Sequence, residues 1–212
     1  EIKEIKWLVE EFRYAKTIGS LLKVNKKDFS IIENALNKIS EKAVYNIFNS
    51  RFLADGMEAL KRLLAQAKVM AAKYDVMITN PPFLGISKMG AAPKQYLTTN
   101  YPNSKSDMFG MFMEAPYPAK NGFIAMVNPD SWMFLVSFEE LRKKIIKQQM
   151  VVSMLHLGMG SFDAVVQTTT FVLRNSAIPS NGVYFRLVDE KDKEAAFLAG
   201  GGITMNLSCY AQ

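Results

Sequence analysis

The hydrophobic pattern changes character near residue 73. Before it, apolar side chains recur at helical spacing: Ile2, Ile5, Val9 and Phe12 over residues 1–16, then Ile32, Ala35, Leu36, Ile39, Val44 and Ile47. Gly19-Ser20 interrupts the pattern, and Leu21–Val24 reads as an extended stretch. Ser30 followed by Glu33 is a capping-box signature for a helix reaching about Asn49. Met57, Leu60, Leu64, Ala67 and Met70/Ala71 predict a further helix over 55–72.

After residue 73 the apolar positions come in short unbroken runs. Val76-Met77-Ile78 predicts a strand within 74–79, buried on both faces as in a parallel sheet. Phe123–Val127, 151–157, 165–174 and Val183–Val188 predict four more strands. Between them, Ser106 is expected to cap a helix carrying Met108, Phe109, Phe112 and Met113, which the prolines at 116 and 118 end. Ser137 and Glu140 form a second capping-box signature, opening a helix through Gln148 with Phe138, Leu141 and Ile145 inward. Residues 84–105, with their glycines, proline, lysines and asparagines, read as a long loop, and Gly200–Gly202 as a flexible junction. Helices alternating with strands imply an α/β protein.

Composition narrows the possibilities. With 212 residues, 49% of them hydrophobic and 22% charged, the chain can bury a core of its own. No apolar run approaches a membrane span, and no membrane partner is expected. A single cysteine, Cys209, excludes an internal disulfide and fits a reducing, cytoplasmic setting. One histidine and one cysteine exclude a Cys/His zinc site, so no metal is expected. The net charge of +6 suits a phosphate-rich partner.

The candidate chemistry sits where the first strand stops. Asn80-Pro81-Pro82-Phe83 cannot continue a sheet ladder, so the strand opens there into a loop. In open α/β sheets ligands bind outside the carboxyl ends of strands. An exocyclic amine on a nucleobase is a poor nucleophile, because its lone pair is delocalised into the ring. The Asn80 side-chain oxygen and the Pro81 carbonyl can each accept one of its N–H groups, favouring a pyramidal nitrogen; each such bond is worth about 2–4 kcal/mol in a transition state. Pro82 stiffens the turn. Phe83 can stack on a base, worth about 1–3 kcal/mol. Lys88, Lys94 and Lys105 are placed either to meet phosphates or simply to be solvated. Trp132, after the second strand, shares the rim and either lines the base pocket or packs. His156, inside a strand, reads as a structural histidine. Gly158-x-Gly160 is followed by a β-branched run, Val165 to Val172, where a cofactor loop requires a helix. Residues 151–157 and 165–174 are therefore expected to be neighbouring strands.

Four segments carry a family resemblance: Asn80–Gly85, Asn100–Phe109, Ser131–Leu135, and His156–Gly158 through Val166–Thr169. In this order they resemble the PglX-type adenine-N6 methyltransferases of bacterial phage-defence (BREX) systems and their type II restriction-modification relatives. The resemblance covers about residues 74–190. It implies a partial Rossmann-like, S-adenosylmethionine-dependent methyltransferase sheet with an antiparallel edge hairpin and an N-terminal helical lead. It also implies methyl transfer from S-adenosylmethionine to a flipped adenine in double-stranded DNA, with other restriction or phage-defence subunits as partners, in the bacterial cytoplasm. Asn80, Pro81, Pro82 and Phe83 take the catalytic positions. Phe83, Trp132, Lys88 and Lys105 take the substrate side.

In that family the glycine loop for the cofactor and the acidic residue for its ribose precede the Asn-Pro-Pro-Phe segment, and neither stands out here. The chain is expected to be a segment of a much larger enzyme. Residues 1–50 would be a helical lead-in, 51–190 the catalytic half of the methyltransferase domain, and 191–212 a junction toward a downstream region. Two alternatives stay open: a non-catalytic DNA-binding or scaffold module with a methyltransferase-like sheet, and a protein-glutamine methyltransferase, which binds an amide nitrogen in a similar way.

Overall fold

A computed structural model describes residues 1–26, 28–43, 50–104, 107–115, 118–161, 166–178 and 180–205. The chain divides into two compact units, Glu1–Ala72 and Lys73–Gln212.

The first unit is helical: α1 (Ile2–Glu11), α2 (Ala15–Ile18), α3 (Ser30–Ala43) and α4 (Ser50–Ala71). On α1 the inward residue is Leu8, not Val9; Ile2 and Val9 are exposed, while Phe12 is buried just beyond the helix. Gly19 ends α2 at φ 54°, a left-handed value that only glycine adopts cheaply. Leu21, Leu22 and Val24 are buried but form no strand. The capping box at Ser30 does not form. Instead the Asp28 carboxylate accepts from the Ser30 N–H at 2.9 Å, and Glu33 pairs with Lys68 of α4. Ile32, Ala35 and Leu36 face inward with Met57, Leu64 and Ala67, as the spacing predicts, whereas Ile39 is largely exposed. Val44 and Ile47 lie outside the described residues.

The second unit is a six-stranded sheet: β1 (Val76–Thr79), β2 (Phe123–Pro129), β3 (Met150–Gly158), β4 (Thr168–Arg174), β5 (Gly182–Arg186) and β6 (Ile203–Met205). Their spatial order is β1-β2-β4-β3-β5-β6. β1 and β2 are parallel, as are β3 and β5; the other pairs are antiparallel. The fold is α/β, with a mixed parallel and antiparallel sheet. The antiparallel pair of 151–157 and 165–174 forms, but not at an edge. β4 inserts between β2 and β3, and β5 and β6 extend the sheet beyond. Gly200 and Gly201, at φ 82° and 97°, turn the chain into β6, so the junction ends in a strand.

α5 (Ala91–Asn100), α6 (Met108–Glu114), α7 (Glu139–Gln148) and α8 (Lys193–Leu198) complete the unit. Leu141 and Ile145 of α7, with Phe138 just before it, pack with Phe109 and Met113 of α6 over Ile124 and Phe171. The capping box at Ser137 is absent: Val136–Phe138 is a 3₁₀ turn without a side-chain cap for α7, and Glu140 pairs with Lys143.

β1 departs from expectation. It is an edge strand with one neighbour, and Val76 and Ile78 are 55% and 79% exposed. The apolar run reflects a face that nothing among the described residues covers, rather than burial on both sides.

Candidate active site

Thr79 stands opposite Met126 in the parallel β1–β2 pair, so Asn80 leaves the sheet toward the end at which β2 runs on to Pro129, still paired with β4. Asn80 is exposed, Pro81 is buried and Pro82 is exposed. The buried proline plugs the corner into the unit, and Asn80 beside it stays exposed. Phe83 is 38% exposed; its ring meets that of Phe109 edge to face, with centroids 6.3 Å apart and planes at 83°.

The segment after the motif is structured, not a long loop. Ile86 is buried within a 3₁₀ turn, Ile86–Lys88, and α5 follows. Pro93 falls in the first turn of α5, where its missing N–H costs nothing. Lys88 is exposed at the end of the 3₁₀ turn and Lys94 is exposed on α5; Lys105 lies outside the described residues.

The loop is tied to the start of α6. Gly85 and Asp107 form an antiparallel bridge, and the Met108 N–H donates to the Leu84 carbonyl at 3.0 Å. The cap of α6 is Asp107, which accepts from the Phe109 N–H at 3.2 Å; the expected cap, Ser106, lies outside the described residues. Burial raises the Asp107 carboxyl above the usual carboxylate range, while the N–H groups of Phe109, Leu84 and Met108 pull it back. At the other end of α6, buried Glu114 accepts from the Asn103 N–H at 3.0 Å, the Asn103 Nδ2 at 2.6 Å and the Ser104 hydroxyl at 2.7 Å. The sequence signal for Asp107 was an Asp directly before an apolar helical run.

Trp132 is 5% exposed and packs on Phe171 with centroids 5.4 Å apart. It also lines a cavity of about 380 Å³ shared with Met154, His156, Tyr184 and Phe185. The ring brought against Phe83 is that of Phe109, and Trp132 belongs to the packed core. His156 Nε2 lies 2.8 Å from Asp130 Oδ2, and the Asp130 N–H donates to the Gln167 carbonyl at 2.9 Å. The rim after β2 is thereby fastened to β3 and to the approach to β4.

Gly158 and Gly160 have φ 67° and 79°, and a Cβ on Gly158 would lie 2.9 Å from Val188 Cγ1. This turn serves the β3–β4 connection. Among the described residues no strand passes through a glycine-rich turn into a helix, so no loop of the dinucleotide-binding type is present there. No cluster of three or more His, Cys, Asp or Glu side chains arranged for a metal occurs among them either. No helix among them is long and apolar enough to cross a membrane.

The model of the Eco57I restriction-modification methylase family matches residues 4–163. An adenine-specific methyltransferase named BrxX from Escherichia coli O9:H4 (strain HS) is 35% identical over 189 residues, which is 86% of this chain and 15% of the relative. An adenine-specific methyltransferase named PglX from Lacticaseibacillus casei (strain Zhang) is 34% identical over 199 residues, 88% of this chain and 16% of the relative. The chain thus spans about one sixth of the length of these curated relatives. Among solved structures, a modification subunit of a putative type I restriction enzyme from Vibrio vulnificus YJ016 superposes with a TM-score of 0.47 at 17% identity, covering 64% of this chain and 34% of that one.

Proposed function

Because the chain belongs to the Eco57I restriction-modification methylase family, we propose that it forms the amine-binding part of a DNA adenine-N6 methyltransferase acting in restriction-modification or phage defence. The observation that carries this reading is the rim at the end of β1. Asn80 is exposed at a corner fixed by buried Pro81, next to an aromatic ring with an open side.

The target adenine leaves the DNA stack, at a cost of a few kcal/mol, and its amine approaches this corner. The Asn80 side-chain oxygen accepts one N–H and the Pro81 carbonyl the other. With both hydrogens held, the nitrogen lone pair is drawn out of conjugation and aimed away from the corner. Phe83 stacks on the base, and Pro82 limits the motion of the turn. Lys88, Lys94 and Lys105 are assigned to the phosphates, consistent with the net charge of +6. S-adenosylmethionine is the methyl donor that the family implies. No strand–glycine turn–helix unit for it occurs among the described residues. Residues 51–190 are assigned to the catalytic half of the methyltransferase domain, in a cytoplasmic protein working with double-stranded DNA and other defence subunits.

The test uses the intact polypeptide that contains these residues. Incorporation of labelled methyl from S-adenosylmethionine into unmethylated genomic DNA is measured for the wild type and for Asn80→Ala. Loss of one oriented acceptor should lower turnover about 10²–10³-fold while DNA affinity stays unchanged. Wild-type incorporation by N80A would refute the assignment.

A further inference from the structure

Asp107 is joined to the rim by more than one contact. Through its backbone it bridges Gly85, two residues past Phe83. Its neighbour Met108 donates to the Leu84 carbonyl at 3.0 Å. Its carboxylate caps α6 at the Phe109 N–H. One residue therefore joins the loop that carries Phe83, through its backbone, to the helix that carries the ring behind Phe83, through its side chain.

That ring has no room to move. Phe109 is wedged between Phe83 and Phe138, whose centroid is 5.2 Å from its own. The next residue, Gly110, is so close to Phe138 that a Cβ would lie 2.7 Å from its ring. Glu114 fixes residues 103 and 104 at the far end of the same helix. A rigid bracket thus stands behind a half-exposed aromatic side chain, and the bracket starts at Asp107.

We propose that Asp107 is a positioning residue for base methylation: by capping the helix whose first turn holds Leu84 and carries Phe109, it keeps the Phe83 ring and the proline corner in the geometry that receives the amine. This rests on the methyltransferase reading above. Asp107 touches no substrate and acts through Phe83. Without its carboxylate, the Phe109 N–H loses its acceptor and the first turn of α6, which holds the Leu84 carbonyl through Met108, loosens, so Phe83 can turn toward the space its neighbours vacate.

The test is a double-mutant cycle in the intact polypeptide, with labelled methyl transfer into unmethylated genomic DNA as the readout. Asp107→Ala should lower kcat about ten-fold with the KM for DNA nearly unchanged, because geometry and not binding is lost. Asp107→Asn keeps an acceptor oxygen at the cap and should recover most of that loss. Combining D107A with Phe83→Ala should be no worse than the more damaging single change, since both act at one ring. If D107A does not accumulate, Asp107→Gly replaces it in the cycle; it also removes the side-chain acceptor, at a smaller cost to the helix.

Multiplicative losses in the double variant, a defect expressed in the KM for DNA, or failure of D107N to recover activity would each overturn the proposal. Asn80→Ala is run alongside. If N80A is inactive while the Asp107 and Phe83 losses multiply, only the positioning role falls. If N80A is fully active, the methyltransferase reading falls with it.

Discussion

Phe83 meets Phe109 along one edge and leaves the rest of its ring open, the posture of a side chain that still has a partner to receive. In the intact polypeptide, Phe83→Trp should retain most methyl transfer, whereas Phe83→Ala should lose about ten-fold or more, the equivalent of one base stack of 1–3 kcal/mol. Steady-state methylation of genomic DNA by the two variants measures the difference. Equal activities would mean that the ring does not contact the base. The motif residues were legible in the sequence because two prolines after an apolar run leave little choice of local structure. Asp107 was harder to read. Its partners, Leu84 and Gly85, lie more than twenty positions earlier, and no local pattern announces a contact that only the folded loop creates. The two glutamates of the supposed capping boxes misled for the opposite reason. Glu33 and Glu140 sit at the right spacing, but lysines within reach, Lys68 and Lys143, took their charges instead.

At the level of elements, helix α6 packs more tightly than its length suggests. Gly110 would ordinarily be improved by alanine in a helix, by about 1 kcal/mol. Here a Cβ would lie 2.7 Å from the Phe138 ring and 3.1 Å from Ser104 Cβ. Gly110→Ala should therefore destabilise the protein by about 1–3 kcal/mol, as overpacking does, and lower its thermal midpoint. An unchanged or raised midpoint would show that the Phe138 ring yields without cost. Helices α3, α4 and α7 were legible from their apolar spacing, and strands β2 to β5 from their β-branched and aromatic runs. Helix α5 was not: it buries Leu97 but has no continuous apolar stripe, and its proline reads as loop until it is seen to occupy the first turn. The short cap-and-turn pieces, α8 and β6, lie in glycine- and charge-rich sequence, where pattern says little.

At the scale of the molecule, the sheet stops at β1, an apolar strand that has one neighbour among the described residues. An exposed hydrophobic edge recruits other strands. Residues 1–212 expressed alone should self-associate with rising concentration, and Ile78→Lys should suppress this; sedimentation velocity on both proteins is the check. A wild-type chain that stays monomeric at high concentration would show that the edge is harmless as it stands. The sequence revealed the strand but not its exposure, because an unbroken apolar run looks the same whether its cover lies within the chain or elsewhere.

The insertion of β4 has a consequence for how the protein comes off the ribosome. Arg174 pairs with Phe123, fifty-one positions behind it, and with Met150 on its other flank. Until residues 168–174 emerge, β2 and β3 are two separate halves with a slot between them, and non-local pairings of this kind form slowly. Nascent chains stalled before that stretch hold a split scaffold, which the rungs of β4 unite before β5 and β6 are added.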